Sequence, residues 1–232
     1  MRILTVPAAL LLGVACTDID SEDLLTSGMS AAITMTARGD GNTDADAILR
    51  AGGATSTTFV ALTADDSLTV AAGDAAAVPL EEYEIAALHG YHATITGDDP
   101  ATVYTIALTR TVDDGAPNTT VQLPPAFEIT APAANFSRAA AFTLDWTPAA
   151  EEPMELTVSG DCVNLYVNTI DADTGTFTIP AGTLTQVDAG AQNCDVTFTL
   201  KRTKVGSLDV AFEEGGSAIG IQERSASSLS AP

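Results

Sequence analysis

Polar and apolar residues alternate with a period of two along most of this chain, and this pattern constrains the fold more than any other feature. The alternating runs are short and rich in Thr, Val and Ile, as in residues 29–38, 57–63, 102–110 and 195–202. Successive side chains of a strand point to opposite faces, so this period is typical of strands that bury one face. Gly, Pro, Asp and Asn separate the runs and favour turns. We therefore expect an all-β chain with antiparallel sheets.

Two consecutive prolines, Pro124 and Pro125, interrupt the series of predicted strands. Proline cannot donate a backbone hydrogen bond, so two in a row do not fit inside a central strand. Strands that bury one face also need a second sheet to cover that face. We expect two tandem β-sandwich domains, over residues 28–123 and 127–232, joined by a proline-rich linker at 124–126.

The first residues of the chain have the features of an export signal. Arg2 is followed by a mainly apolar stretch over residues 3–15, which is too short to span a bilayer. The sequence GVAC that ends at Cys16 resembles the lipobox of bacterial lipoproteins, although Gly13 stands where that family usually has leucine. The resemblance implies cleavage after residue 15 and a lipid on Cys16. An ordinary secretory signal is the alternative.

The segment that follows Cys16 is acidic and short. We expect residues 16–27 to form a solvated tether between the lipid and the folded part. In enterobacterial lipoproteins an Asp directly after the lipidated cysteine favours retention in the inner membrane, and here that position is Thr17. The resemblance therefore implies a lipid-anchored protein of the cell envelope, at the outer rather than the inner membrane.

The charge balance limits the partners that this chain can bind. The formal net charge is −22, which disfavours nucleic acid and repels anionic lipid headgroups. We therefore expect the N-terminal lipid to be the membrane contact, and an envelope protein or a glycan to be the partner. Hydrophobic residues make up 46% of the chain but aromatic residues only 5%, which predicts a folded core of small and β-branched side chains.

Two cysteines remain when Cys16 is assigned to the lipid, and they form an even pair in a compartment that permits oxidation. We predict a disulfide between Cys162 and Cys194. A metal-binding pair or a redox dithiol is the alternative, but the close CxxC spacing of such sites is missing.

The C-terminal half carries a resemblance to a known fold. The sequences FTLDW ending at Trp146, TGTFTIPAGTL at residues 174–184 and CDVTFTLKR at 194–202 resemble immunoglobulin-like sandwiches of bacterial surface lipoproteins. In antibody-type domains the tryptophan lies between the two cysteines, whereas here Trp146 precedes both. The resemblance therefore implies a fold rather than an activity, and a disulfide that is not the central link between the sheets.

The sharpest candidate for a metal site is the sequence GDGNTDADA. Asp40, Asn42, Asp44 and Asp46 alternate in it as the oxygen ligands of calcium loops do. A helix-loop-helix calcium site also needs a glycine at its sixth position and a glutamate at its twelfth, and these positions hold Ala45 and Ala51. We expect a solvated hairpin turn, with calcium binding as the alternative.

Several other motifs have simpler structural explanations. Asp171 and Asp173 precede Gly175 in a sequence typical of a turn that is held by aspartate side chains. The tripeptide at residues 38–40 resembles the integrin-binding motif, but a Gly-Asp turn explains it equally well. His89 and His92 point to opposite faces of a predicted strand, which disfavours a shared metal. We expect no cofactor.

The sequence contains no GxSxG nucleophile motif, and carboxylate pairs are available by number alone in a chain with 31 acidic residues. We therefore expect a lipid-anchored binding or structural module of the envelope without enzymatic activity. A calcium-stabilised adhesion protein and, less favoured, a polysaccharide hydrolase are the alternatives.

Overall fold

The structure is a computed structural model that describes residues 17–63, 65–85, 88–132, 135–188 and 193–232. Strands make up 59% of the chain and helices 3%, which confirms the all-β expectation. The helical residues include two short 3-10 turns, Ser21–Asp23 and Thr26–Gly28. In the described part of the chain, no helix has the length and apolar character needed to cross a membrane.

Eighteen strands are present in the described residues. The first nine are β1 Thr17–Asp20, β2 Met29–Ala37, β3 Asn42–Ala51, β4 Thr58–Ala61, β5 Ser67–Ala72, β6 Val78–Pro79, β7 Glu81–Ile85, β8 Leu88–Thr96 and β9 Val103–Thr109. The other nine are β10 Ala116–Gln122, β11 Glu128–Thr130, β12 Phe136–Ser137, β13 Phe142–Thr147, β14 Met154–Gly160, β15 Val163–Ile170, β16 Thr176–Ile179, β17 Cys194–Val205 and β18 Gly216–Ala231.

Eleven of these strands form one large sheet. Its main path runs β1-β4-β3-β2-β18-β17-β14-β15, with β8 and β7 added next to β3 and β12 next to β18. Two smaller sheets have the orders β10-β9-β5-β6 and β11-β13-β16. The strands β1 and β15 therefore lie at the two ends of the main path.

Strand β18 joins the two halves of the chain. Its first residues, Gly216–Gln222, pair in parallel with Ala31–Ala37 of β2, while most of the strand runs antiparallel to β17. Gly216 makes this start possible, because a Cβ atom there would lie 1.9 Å from the carbonyl oxygen of Ala31. The pairs β1–β4 and β12–β18 are parallel as well, so parallel pairing is added to the antiparallel ladders that the sequence predicts. Such pairings join distant segments and leave no local sequence signal.

The first hydrophobic core lies between the large sheet and the sheet β10-β9-β5-β6. It contains alternate residues of β2 and β3 together with inward residues of β5, β9 and β10, such as Ile33, Leu49 and Ile106. Phe212 and Ala218, which lie far along the chain, also belong to this core. The ranges 28–123 and 127–232 stay a prediction as domain bounds, and the structure adds that the chain after β17 returns to the first core.

The second core lies between the large sheet and the sheet β11-β13-β16. Phe136, Phe142 and Phe198 form an aromatic cluster in it, with ring centroids 4.5 to 5.8 Å apart. Trp146 is buried in the same core. Three phenylalanines and the tryptophan thus pack where the sheet β11-β13-β16 covers the large sheet.

The predicted disulfide is confirmed. Cys162 lies in the turn between β14 and β15, and Cys194 begins β17, with 5.8 Å between their Cα atoms. Strands β14 and β17 are neighbours in the large sheet, so the bond links two parts of one sheet rather than two facing sheets. Its position agrees with the expectation that it is not the central link between the sheets.

Candidate functional site

The segment next to the predicted lipidation site is folded against the body of the protein. Cys16 itself lies outside the described residues, as does the predicted signal peptide at 1–15. Thr17 begins strand β1, which pairs in parallel with β4, and the two 3-10 turns follow. Ser21 and Thr26 are fully or nearly fully buried. The expectation of a solvated tether over residues 16–27 is therefore wrong for its described part.

A buried arginine, Arg110, explains why this segment is ordered. One terminal nitrogen of its guanidinium donates to the carbonyl oxygens of Ser21 (2.6 Å) and Leu24 (2.8 Å). The other donates to the hydroxyl of Thr26 at 3.0 Å. Its Nε donates to Asp66 at 2.7 Å, so one side chain satisfies polar groups from both short turns and neutralises a buried acid.

Asp66 completes this buried cluster. Its carboxylate accepts hydrogen bonds from the Ser21 hydroxyl at 2.8 Å and the Thr111 amide at 2.9 Å, besides the bond from Arg110. Burial alone raises the pKa of Asp66, but the hydrogen bonds from Ser21, Thr111 and Arg110 outweigh it and lower the pKa below the usual value. The cluster is therefore an ion pair that attaches the N-terminal segment.

A second contact holds β1 from the side of β8. The Nδ1 atom of His89 lies 2.7 Å from Glu82, and its Nε2 atom lies 3.1 Å from Asp18 of β1. The hydrogen bond to Glu82 is the main cause that raises the pKa of His89, and Asp18 adds to it, against the opposing effect of desolvation. The His89 ring therefore lies between two carboxylates, one of them on the strand next to Cys16.

The calcium candidates do not come together in one site. Asp40 accepts a hydrogen bond from the amide of Asn42 at 3.0 Å, and thereby stabilises the turn between β2 and β3. Asp44 and Asp46 point outward from β3, two residues apart on the same face. Among the described residues, no group of three or more His, Cys, Asp or Glu side chains is arranged to hold a metal ion.

Asp44 and Asp46 have partners on neighbouring elements. Arg38 donates to Asp44, and the Thr94 hydroxyl donates to it at 2.9 Å. Asp46 lies 3.0 Å from the Nδ1 atom of His92. His92 thus contacts β3, whereas His89 contacts β1 and β7, and the structure does not bring the two histidines into one site.

A groove of about 540 Å³ lies beside β7 and is lined by Asp46, Glu81, Glu82, Tyr83, Ile85 and His92. Two of its carboxylates are held by histidines, because Asp46 pairs with His92 and Glu82 pairs with His89. These acids therefore form cross-strand pairs, one between β3 and β8 and the other between β7 and β8.

Asp173 has a larger role than the turn that the sequence predicts. It is buried and accepts hydrogen bonds from Trp146 Nε1 at 2.6 Å, from the Ala150 amide at 3.0 Å and from Arg202. The guanidinium of Arg202 also lies 4.7 Å from the ring centroid of Phe127. The sequence signal for this network was Trp146, because a buried indole N–H needs an acceptor.

The outer face of the large sheet carries a regular set of hydroxyl groups near the second core. Thr157, Thr199 and Ser225 form one cross-strand row, and Ser159, Thr197 and Ser227 form the next. The hydroxyls of Thr199 and Ser225 lie 2.9 Å apart, and those of Thr197 and Ser227 lie 3.0 Å apart. We call these six residues the hydroxyl face. It is uncharged in a strongly acidic protein.

Comparison with known proteins adds little to this description. No protein-family profile matches the chain, and no curated protein matches its sequence. Among solved structures, a cytokine receptor complex matches with 10% identity over 82% of this chain and 98% of that chain, with a TM-score of 0.33. The Yersinia pseudotuberculosis adhesin InvE matches with 11% identity, 88% and 59% coverage, and a TM-score of 0.25.

A third solved structure is the Bacteroides ovatus glucan-utilisation protein SGBP-B in complex with a mixed-linkage heptasaccharide. It has 12% identity over 95% of this chain and 69% of that chain, with a TM-score of 0.22. Similarities this low give no argument about function. The fold and the site define the class instead: an all-β protein whose two cores share one sheet, with its N-terminal strand fixed at one end of that sheet.

Proposed function

We propose that the protein is a binding or structural module of the cell envelope, without enzymatic activity, and is held on a membrane by a lipid on Cys16. The observation that carries this proposal is the attachment of residues 17–28 to the folded body through Arg110. A lipid on Cys16 is then one residue away from a strand of the large sheet. The anchor and the sheet form one unit, which sets how the protein is presented.

The strand order gives this unit a direction. Strand β1 is at one end of the main path and β15 is at the other, seven strand spacings away. Neighbouring strands are about 4.8 Å apart, so the path is on the order of 34 Å long. A lipid beside β1 therefore keeps that end at the membrane and leaves the β15 end, with the second core, facing outward.

The buried charges support a structural rather than a catalytic role. Arg110 and Asp66 attach the N-terminal segment, and Arg202 and Asp173 join β17 to the turn before β16. Each of these charged groups is paired with its counter-charge inside the fold. Their side chains are at most 2% exposed, so a substrate in solvent has no access to them.

The hydroxyl face supports a neutral partner. Its six residues offer hydrogen-bond donors and acceptors on a pleated surface without charge, which suits the polar groups of a glycan or of another envelope protein. The calcium alternative gains no support, because Arg38 already forms an ion pair with Asp44 and the His92 ring already contacts Asp46.

The anchor is tested on the full chain expressed in a lipoprotein-processing bacterium. Mass spectrometry of the mature N-terminus should find a lipid on Cys16, and Cys16→Ser should move the protein from the membrane to the soluble fraction. An unmodified Cys16, or cleavage at another position, contradicts the proposal.

The binding role is tested by capturing envelope extracts on the purified chain. Ser225→Lys on the hydroxyl face should reduce what the wild type retains. Thr178→Lys is the matched control, because Thr178 forms a similar hydroxyl pair with Thr143 on the outer face of the smaller sheet. Equal losses with both variants, or retention of nothing by the wild type, count against binding at this face.

A further inference from the structure

We propose that the exposed edge of β15 is a self-association surface, at which two copies of this chain pair antiparallel about a two-fold axis that passes between their Val167 residues. The inference goes beyond the proposed function and does not depend on the lipid anchor. It rests on the chemistry of this edge, on the part of it that is free, and on the charge of the chain.

Most of the β15 edge lacks the charged side chains and prolines that keep other sheet edges from pairing, and the register shift in its pairing with β14 is confined to the start of the strand, between Val163 and Tyr166. Proteins protect edge strands with charged side chains, with proline or by making them short. Here β1 carries two aspartates, β7 carries three glutamates, β6 and β10 contain proline, β11 contains Glu128, and β16 has four residues. Strand β15, Val163–Ile170, has eight residues, none charged and none proline.

The edge also exposes apolar side chains. Leu165 is 69% exposed and Val167 is 53% exposed, and alternation places both on the outer face of the sheet with Thr169. Covering these two side chains with another strand is favourable, because the burial of apolar surface contributes about 25 cal/mol per Å². An unpaired strand with exposed apolar side chains is the pattern expected of an edge that is covered in the working protein.

Only part of β15 is free in the described structure. The amide of Asn164 donates to the carbonyl oxygen of Thr185 at 2.9 Å, and Val163 forms a bridge with Gln186. The start of the edge is therefore covered by residues 185–187 of the same chain. The free part consists of residues 165–169, within which the side-chain amide of Asn168 donates to the carbonyl oxygen of Thr169 at 2.9 Å, and Val167 is its centre.

This free segment can pair with a copy of itself. Antiparallel pairing centred on Val167 places Val167 opposite Val167, and Leu165 opposite Thr169 in both directions. Directly opposite residues in an antiparallel ladder point to the same face, so all these side chains form one stripe. The arrangement is isologous and leaves residues 185–187 in place. A centre one residue earlier brings the second copy against Asn164, whose amide is already bonded.

The charge of the chain favours this edge over the others for a second copy. Two chains with a net charge of −22 repel each other, and pairing through β1 or β7 adds directly opposed acids. Residues 165–169 carry no charge. The nearest acid on β14 is Glu155, beside Thr169, and it faces Lys201 on its other side. Repulsion therefore comes from the chains as a whole, so added salt should strengthen the association.

The interface is small, which sets the expected strength. Stable interfaces bury about 1,200 to 2,000 Å² in total, and five paired residues on each copy fall below that range. We expect a weak dimer in solution, visible at high micromolar concentrations and above. Confinement on one membrane raises the effective concentration and would favour the dimer further, and this last step rests on the proposed lipid anchor.

The test uses the full chain with Cys16→Ser, so that no lipid is attached, and follows its sedimentation across a concentration series at low and high salt. The protein with an unchanged β15 edge should show a monomer–dimer equilibrium that shifts toward the dimer at high salt. Val167→Lys places two like charges opposite each other and should weaken the dimer at least tenfold. Unchanged thermal unfolding of this variant shows that the fold is intact, because Val167 is an exposed side chain.

Cysteine cross-linking tests the register. Val167→Cys should form a disulfide between two copies, because directly opposite Cα atoms in an antiparallel ladder are about 4.5 to 5.5 Å apart, within disulfide range. Val205→Cys is the control, since Val205 is 83% exposed and lies on β17 away from this edge. Leu165→Cys should link poorly to itself, because its partner in this register is Thr169.

Three results overturn the proposal: a monomer at every concentration and salt, a dimer that Val167→Lys leaves unchanged, or cross-linking of Val205→Cys as fast as of Val167→Cys. Self-association is also overturned if the chain stays monomeric and its β15 edge is covered only when a strand of another envelope protein pairs with it.

Discussion

Arg110 and Asp66 form an ion pair inside the first core, with Nε and Oδ2 2.7 Å apart and side chains that are 0% and 2% exposed. Two residues 44 positions apart thus provide the buried charges against which the N-terminal segment folds. Buried pairs are costly to desolvate. Here the cost is offset by two further hydrogen bonds, because Arg110 donates to the carbonyl oxygen of Ser21 and Asp66 accepts from the hydroxyl of Ser21. The pair therefore connects the start of the described chain to the sheet.

Removing Arg110 should destabilise the protein and release its N-terminal segment. Arg110→Met leaves the Asp66 charge without its partner and the carbonyls of Ser21 and Leu24 without their donor, at a cost of about 3 to 5 kcal/mol. Chemical denaturation measures the loss, and amide hydrogen exchange should rise in residues 17–28. Arg38→Met is the control, because Arg38 is half exposed, and we expect it to cost about 1 kcal/mol or less. Equal effects of the two substitutions contradict a special role for Arg110.

The attachment of β1 should weaken as the pH rises above the ordinary titration range of histidine. The pKa of His89 is raised in the folded protein, so its stabilising contribution is fully present below the unfolded value of about 6.5. That contribution is lost as the pH rises through the higher, folded value. After correction for the intrinsic pH dependence of amide exchange, hydrogen exchange of residues 17–20 should therefore be faster at pH 8 to 9 than at pH 6.

His89→Gln should remove this pH dependence, and His92→Gln should leave it in place, because His92 contacts β3 rather than β1. The same pair of variants can be compared in denaturation at each pH. A pH dependence that survives in His89→Gln shows that another group is responsible.

The disulfide should contribute substantially to the stability of the second core. It closes a loop across 32 positions of sequence, for which chain entropy gives about 3.5 to 4 kcal/mol. The double substitution of Cys162 and Cys194 by serine should lower the denaturation midpoint accordingly, and a reducing agent should lower the wild type by a similar amount. A reducing agent should have no effect on the double variant, which makes that variant the control for the treatment.

Calcium should not stabilise the protein. Asp44 and Asp46 are engaged by Arg38 and His92, and Asp40 stabilises its own turn, so binding an ion requires breaking these contacts. Millimolar calcium should leave the unfolding temperature unchanged, with magnesium as a control for ionic strength. A rise with calcium alone, reversed by a chelator, supports the calcium-stabilised alternative instead.

The sequence predicts features that depend on local pattern. Alternation in segments such as residues 102–110 identifies strands because each strand buries one face, and an even pair of cysteines identifies the disulfide. The position of residues 17–28 was not predictable in this way. Their order depends on Arg110, which is 89 positions from Ser21, and an acidic segment with few large apolar residues has no local signal of burial.

The same reason explains Asp173 and strand β18. Asp173 lies in a sequence that favours a turn, and its burial depends on Trp146 and Arg202, which are 27 and 29 positions away. The alternation in β18 predicts a strand, but the parallel pairing of its first half with β2 joins residues 185 positions apart, from Gly216 with Ala31 onward. Period and turn chemistry identify elements, whereas their partners are chosen by contacts distant in sequence.

Trp146 should be a sensitive reporter of the second core. Its indole donates to Asp173 at 2.6 Å, and Trp146→Phe keeps an aromatic ring there but removes this donor. Arg202 and the backbone amides of Ala150 and Gly175 still satisfy the Asp173 carboxylate. We therefore expect a moderate loss of about 1 to 3 kcal/mol, which combines the lost hydrogen bond with the smaller ring.

Asp173→Asn tests the ion pair instead, because it keeps Trp146 and a side-chain oxygen but leaves the guanidinium of Arg202 buried without its counter-charge. That loss should be larger, about 3 to 5 kcal/mol, since a buried charge without its partner costs more than a missing neutral donor. Denaturation of both variants, followed by circular dichroism, gives the comparison. If Trp146→Phe proves the more damaging of the two, packing of the indole rather than the ion pair controls this core.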